Sequence, residues 1–410
     1  MNLLLGRSRL GRHILAGKIN KAATVIVDYP QTDSGFVISF YDALGIRTGQ
    51  ISSEILTSPL ASLEFEITST GCGAFTLTLD KKNAISIAYN QRIDISLFGH
   101  AIPWYSGYVI KKPQLGNTDD LNVYSGFGFF NQLDDVIISK TYENEEISSI
   151  VNSMMTTDIE SKTDVVYNSG KIYATDYTAT KLAFDYIKAK ESIKTLAEFA
   201  TDYIYGVDEY RELFFKPINI EINENSRFWV SYHVQDFKPE EDTSTIVNFF
   251  YVKGGSLSGE GSNLYSDGSG NPIPFYNQQS IDEYGRKEDV LSVPSAMSDV
   301  DTQRWGNAEL ARKKIPQKSA KVDKFIKEIA QRNIRPEGLA QITTEDGLYT
   351  YQYPIKSVKY KLSSNGIQFS MQLGEYSNRL DKYIAKLYRD AKNAEFAQSL
   401  NNKQLSGVTP

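Results

Sequence analysis

The chain is poor in the residues that most often do chemistry. Of its 410 residues one is cysteine, Cys72, and three are histidine, His13, His100 and His233. A single thiol excludes intramolecular disulfides and any cysteine-cluster metal site. No H-E-x-x-H or C-x-x-C spacing occurs. Long apolar runs are missing as well: each is only a few residues, against the roughly 20 that a membrane-spanning helix needs. No secretory signal is legible, because Arg7, Arg9 and Arg12 follow Leu3–Leu5 and no apolar core comes after them. These shortages predict a chain that folds in a reducing cytoplasm.

What the chain does contain is globular in kind. It is 41% hydrophobic and 23% charged, with length for two to four domains. Its 26 Tyr and 20 Phe bring the aromatics to 12%, which suits sheets and contact surfaces better than helical bundles. The net charge of −6 is unevenly spread. Residues 304–403 hold 19 Lys/Arg against 10 Asp/Glu, the first 27 hold five basic residues and no acid, and 113–252 hold 24 acids against 11 bases. An acidic body with basic ends points to partners at the ends and away from a surface that grips nucleic acid.

Periodicity divides the chain. Residues 1–35 read as an arm, in which Gly6, Gly11 and Gly17 interrupt any helix. Period-two alternation in Leu63–Ile67, Phe75–Leu79 and Arg92–Phe98 predicts antiparallel strands, and 36–135 is read as a first β-barrel whose pattern is clearest over 60–133. Gly107, Gly126 and Gly128 inside these strands mark bulges or close backbone approach. Residues 136–217 read as mixed α/β, with helical spacing over 144–155 and 190–205, Ser192 as a candidate cap, and strand–turn–strand over Tyr203–Lys216. A second β region spans 218–376, with a charged Lys238–Asp242 link, a flexible loop at 254–280, a helix at 299–314 and a closing hairpin across Asn365-Gly366. Residues 377–410 read as an amphipathic helix, Ser377–Leu400, and a polar tail; Leu380, Ile384, Leu387 and Ala391 form its stripe, with Ala394 and Phe396 beyond.

A search for chemistry along this plan finds little. The isolated histidines fit local hydrogen bonding, and Cys72, between two glycines, fits a structural thiol. The acidic pairs Asp119-Asp120, Asp134-Asp135, Glu145-Glu146 and Glu240–Asp242 fit turns, caps and solvated faces, since glycosidase carboxylates are placed by the fold and not by adjacency. The glycines of 254–270 lack the G-K-[ST] of a phosphate loop, and Asp267–Asn271 lacks the spaced acids of a calcium loop. No catalytic residue, metal ligand or cofactor is expected. The aromatics stand apart: Tyr349, Tyr351 and Tyr353 alternate along one face, and Trp104, Tyr105 and Tyr108 cluster near a strand bend. Such clusters either bind sugars or partner proteins, or fill barrel interiors.

The order of these pieces resembles the baseplate or tail-tip hub proteins of tailed phages and related contractile injection systems. The resemblance rests on Trp104-Tyr-Ser-Gly-Tyr-Val109, on Asn122–Leu133 entering Glu143–Met155, on Ser192–Ala200 followed by Leu213–Pro217, on Thr245–Gly255 with Asn248, and on Arg304–Ala311 with the hairpin at 355–373. It covers roughly 60–376. It implies a mainly β fold with α+β insertions: two tail-tube-like β-barrel domains, mixed α/β domains and a C-terminal amphipathic helix. It also implies a homotrimer in the virion that matches a sixfold tube to a threefold tip around a DNA channel. The implied partners are a distal tail or tube protein above, a tip fibre or needle protein below, and a tape-measure protein. DNA would pass without specific binding, past acids drawn from 113–252. Leu380, Ile384, Leu387 and Ala391 are the candidate partner-binding residues: their helix packs about a threefold axis, docks the next tail protein, or covers its own barrel. With only a helix and tail after the core, no cell-wall hydrolase is expected and a separate protein forms the tip. The rival expectations are a carbohydrate- or receptor-binding virion protein with a pocket at Tyr349–Tyr353 or Trp104, and a polysaccharide-cleaving tail enzyme with converging carboxylates.

Overall fold

The computed structural model describes residues 35–374, apart from 54–57, 84, 100–101, 115–117, 256–263, 268, 326–330 and 364–365. The arm up to residue 34, His13, His100, much of the glycine-rich loop and the C-terminal helix with Leu380, Ile384, Leu387 and Ala391 lie outside the described residues.

Alternation builds the first β region: β1 (Phe36–Tyr41), β2 (Arg47–Ser52), β3 (Leu60–Thr68), β4 (Gly71–Asp80), β5 (Arg92–Leu97), β6 (Tyr105–Lys111) and β7 (Leu121–Gly128). In β3, Leu63, Phe65 and Ile67 are buried while Ser62, Glu64 and Glu66 lie on the other face. A Cβ on Gly126 would stand 1.9 Å from the Tyr108 carbonyl oxygen, so only glycine lets β6 and β7 approach as they do.

The α/β body follows, with β8 (Ile137–Glu146), α1 (Ile147–Met154), β9 (Thr178–Lys188), α2 (Ala189–Ala200), β10 (Tyr203–Val207) and β11 (Leu213–Pro217). Helix α2 starts at Ala189, so Ser192 is not its cap; it is buried, and its Oγ donates to the Lys188 carbonyl at 3.1 Å. The chain continues through β12 (Ile222–Trp229) and β13 (Val234–Asp242). The expected Lys238–Asp242 link is therefore strand: it pairs with Lys321–Gln317, and an edge position tolerates both Pro239 and the charges. Next come β14 (Phe249–Gly254), β15 (Phe275–Tyr276), α3 (Gln278–Tyr284), β16 (Glu288–Val293), α4 (Asp299–Lys313), β17 (Gln317–Phe325), β18 (Leu339–Thr343), β19 (Thr350–Ser363) and β20 (Gly366–Gly374).

The two β regions, far apart in sequence, are joined edge to edge. One sheet runs β13-β17-β20-β19-β3-β4-β7-β6-β5-β1-β2, and its seam is the antiparallel pair β19–β3, with Tyr360 opposite Phe65 and Leu362 opposite Leu63. Tyr360 stacks on Phe65 at 5.2 Å and meets Trp104 edge-on at 5.2 Å, so a single core spans both regions. Each such buried ring contributes about 1.5–3 kcal/mol. A second core fills the α/β body, and it includes Phe250, Val252, Phe275, Val293, Ala296 and Trp305. Within the stretch read as the second β region, β14 and α4 thus bury apolar residues against the α/β body. The chain is mainly β with α+β insertions.

Candidate functional site

The residue types expected to lack chemistry have structural work. Cys72 is buried, and its Sγ accepts from the Ser106 amide at 3.4 Å. Burial pushes this thiol far up, which suppresses the thiolate and with it nucleophilicity. His233 closes a turn: Nδ1 accepts from the Trp229 amide at 3.0 Å, and Arg332 Nη2 lies 3.4 Å from Nε2. Burial, then the Arg332 charge, lower its pKa and keep the ring neutral. Among the described residues, no group of three or more His, Cys, Asp or Glu is placed to hold a metal ion.

The acids of 113–252 are largely engaged. Asp134 pairs with Lys190 at 2.7 Å, Asp158 with Lys140 at 2.8 Å, and Lys171 pairs with both Asp208 and Glu212. Glu146 caps α1, accepting from the Ser148 and Ser149 amides at 2.9 and 3.0 Å. Beyond that stretch, Asp267 likewise holds its turn through the amides of Ser269 and Asn271, each at 2.9 Å. These carboxylates are committed to lysines, caps and turns, which leaves fewer for a channel wall.

The aromatic clusters separate. Trp104 and Tyr105 fill the core of the β sheet, where Tyr105 donates to the Gly73 carbonyl at 2.7 Å, and Tyr108 packs on Phe129 in the core of the α/β body. Tyr353 is buried and Tyr351 half-buried beside it, both against Phe237; only Tyr349 is exposed. A sugar pocket on Trp104 or along all three tyrosines is excluded by this burial. Exposed apolar side chains also stand on two neighbouring turns: Trp229, Tyr232 and Leu348, which the sequence reading misses, and Tyr349. Trp229 and Thr350 both lie beside Thr343, which brings these turns together.

A cleft of about 320 Å³ lies where three segments meet. Thr68, Ser69 and Gly71 come from the β3–β4 turn, Asp208–Tyr210 from the turn after β10, and Arg335–Glu337 from the segment before β18. The backbones touch here: Val207 N donates to Thr70 O at 3.1 Å, and a Cβ on Gly206 would sit 2.1 Å from that oxygen. Arg335 ties the segments together, donating from Nη1 to Trp104 O at 2.7 Å and from Nε to Asn333 Oδ1 at 3.0 Å, with Glu209 Oε1 at 3.8 Å from Nη2. Lys216 and Glu337 add an ion pair at 2.8 Å. Burial raises the Glu209 carboxyl and Arg335 only partly offsets it. With every cation facing an acid, the cleft is a strut between the β sheet and the α/β body. Sequence reasoning missed it because its three segments lie about 125 to 270 positions apart.

Against this geometry stand three solved structures. The 43 kDa tail protein of prophage MuSo2 from Shewanella oneidensis is similar over 82% of this chain and 98% of its own, with a TM-score of 0.57 at 13% identity. A tail protein from Neisseria meningitidis MC58 is similar over 83% and 97%, with a TM-score of 0.56 at 10% identity. Prophage tail protein gp18 from Listeria monocytogenes EGD-e is similar over 87% and 99%, with a TM-score of 0.51 at 13% identity. The chain has the fold of phage tail proteins. No protein-family model matches the sequence, and no curated relative does. The phage-tail fold is thus shared at 10–13% sequence identity.

Proposed function

We propose that the chain is the structural hub of a phage tail tip or baseplate, without enzymatic activity. Three copies form a ring that adapts the sixfold tail tube to a threefold tip and surrounds the DNA channel. The observation that carries the reading is similarity over 82–83% of this chain and 97–98% of two tail proteins, together with two β regions joined through β3 and β19. Two fused β units per subunit give six in a trimer, which is the number a sixfold ring presents. The partners of this reading are a distal tail or tube protein above, a tip fibre or needle protein below, and a tape-measure protein in the channel. DNA passes without specific binding, and the protein resides in the virion.

The exposed Trp229, Tyr232, Leu348 and Tyr349 favour a second reading, a carbohydrate- or receptor-binding virion protein. Light scattering on the purified chain separates the two. A native mass near 138 kDa, three copies of 46.1 kDa, supports the hub and justifies imaging a central channel. A monomer that binds glycans on an array, with loss of binding in Trp229→Ala, would replace it.

A further inference from the structure

Two turns stand at one end of the second β region. Strands β12 and β18 run parallel and end together at Trp229 and Thr343, and β13 and β19 set out from the same end at Val234 and Thr350. The first turn carries Trp229 and Tyr232 and the second Leu348 and Tyr349, all four between 49 and 75% exposed. The turns touch: Val230 N donates to Thr343 O at 3.0 Å, and a Cβ on Gly347 would lie 3.8 Å from Trp229 Cζ3. A lone exposed ring needs no partner, but four large apolar side chains on adjoining turns mark a contact.

Hydrogen bonding within the turns points to what they meet. Every amide from Trp229 to His233 donates inside the protein: Trp229 N to His233 Nδ1, Val230 N to Thr343 O, Ser231 N to Val234 O, and Tyr232 N and His233 N to Trp229 O. In the second turn Thr344 N donates to Tyr349 O, Gly347 N to Thr344 O, Leu348 N to Asp346 Oδ1 and Tyr349 N to Thr344 Oγ1. Backbone closed in this way enters a lipid surface without leaving these donors unpaired, which is the main cost of placing a turn there. The side chains match as well. Trp and Tyr settle at the headgroup level of a bilayer, and Leu reaches toward the acyl chains. A sugar would instead need polar side chains free to read its hydroxyls. Here Asp346 accepts from Thr344 Oγ1 and Leu348 N, and His233 accepts at Nδ1 from Trp229 N with Arg332 beside Nε2. Glu345 and Asp346 are exposed on the second turn, a charge that suits headgroups with an outermost ammonium and opposes an anionic surface.

We propose that these two turns dock on the surface of a zwitterionic lipid bilayer, with Trp229, Tyr232, Leu348 and Tyr349 as the contacts. The contact goes beyond the hub reading and is independent of how many copies assemble.

The test is flotation of the full chain with phosphatidylcholine vesicles, read together with tryptophan fluorescence. The chain has three tryptophans, and Trp104 and Trp305 are buried, so Trp229 is the one that lipid can reach. The chain should float with the vesicles, and bromine on their acyl chains should quench emission that Trp229→Phe lacks. Leu348→Asp, at an exposed position, should stay in the bottom fraction at an unchanged urea midpoint. A chain that stays behind at saturating lipid overturns the contact, and glycan binding through Trp229 by that chain would give the turns to the second reading above. Flotation that Leu348→Asp retains, or that brings no quenching, places the lipid contact elsewhere and overturns it too. Preference for vesicles carrying phosphatidylglycerol overturns the charge match and with it the assignment to these acidic turns. Native mass decides the hub separately: a monomer that floats leaves this contact standing, and a trimer that does not float leaves the hub standing.

Discussion

Tyr177 donates a 2.6 Å hydrogen bond to Oδ1 of Asp301, a carboxylate 124 residues further along the chain. The same carboxylate accepts from the amides of Thr180 at 3.0 Å and Lys181 at 2.9 Å and from Ser298 Oγ at 2.5 Å. Asp301 is wholly buried, and these donors with the positive end of α4 stabilise its charge, while Arg304 stacks 4.7 Å over the Tyr177 ring. This is what binds α4 to β9 and draws the segment around 299–313 into the α/β body. Replacing the carboxylate by an amide turns two of these four buried donors toward an amide nitrogen, whereas removing the phenol leaves one acceptor short. Asp301→Asn is expected to lose about 2–4 kcal/mol and Tyr177→Phe about 1 kcal/mol in urea unfolding followed by circular dichroism. A smaller loss for Asp301→Asn than for Tyr177→Phe would show that the carboxylate is not the anchor.

Glu146 provides a pH dependence. Burial opposes its charge, but hydrogen bonds from Ser148 and Thr175 outweigh burial and hold the carboxyl down to about 2. A carboxyl lowered on folding adds stability above its ordinary pKa near 4.5 and loses it as pH falls toward 2. The side chain is partly wet, which reduces the effect to about 1–2 kcal/mol. Glu146→Gln should therefore unfold more easily than the unsubstituted chain at pH 7, with the gap closing between pH 4.5 and 2. A gap that stays constant down to pH 2 would assign the loss to packing.

Local patterns and long-range ones were not equally legible. Alternation in Leu63–Ile67 and Phe75–Leu79, the glycine in β7 and the hairpin around Asn365-Gly366 all correspond to elements found, because each depends on neighbours within a few residues. The resemblance to tail hubs likewise holds at the level of fold. Lys238–Asp242 misled because edge strands tolerate charges that a buried strand would not. The strut of Arg335, Glu209 and Trp104 was illegible for another reason: Arg335 acts through a main-chain carbonyl 231 residues away, which no spacing encodes. Trp229 and Tyr232 were passed over because their exposure depends on a turn at Ser231, with φ of 68°, and not on periodicity.

The strut itself separates charge from shape. Burial raises the Glu209 carboxyl, and Arg335, 3.8 Å away, pulls it back. Glu209→Gln removes a costly buried charge while keeping the volume, so its stability should lie within about 1 kcal/mol of the unsubstituted chain. Arg335→Met leaves that charge unpaired and vacates the bond to Trp104 O, a loss of about 3 kcal/mol. Adding Glu209→Gln to Arg335→Met should then restore part of the loss. The pH sign follows from the direction of the shift. A carboxyl raised on folding contributes stability below its ordinary pKa and loses it as pH rises through the raised value, and without Arg335 the rise is larger. The cost of Arg335→Met is therefore greatest well above the raised value of the Glu209 carboxyl and shrinks as pH falls and that carboxyl takes up a proton. Urea midpoints for the four chains at pH 7.5 and pH 5 test this directly. Equal losses at both pH values, with no recovery in the double substitution, would mean that Arg335 holds the seam through Trp104 and Asn333 alone.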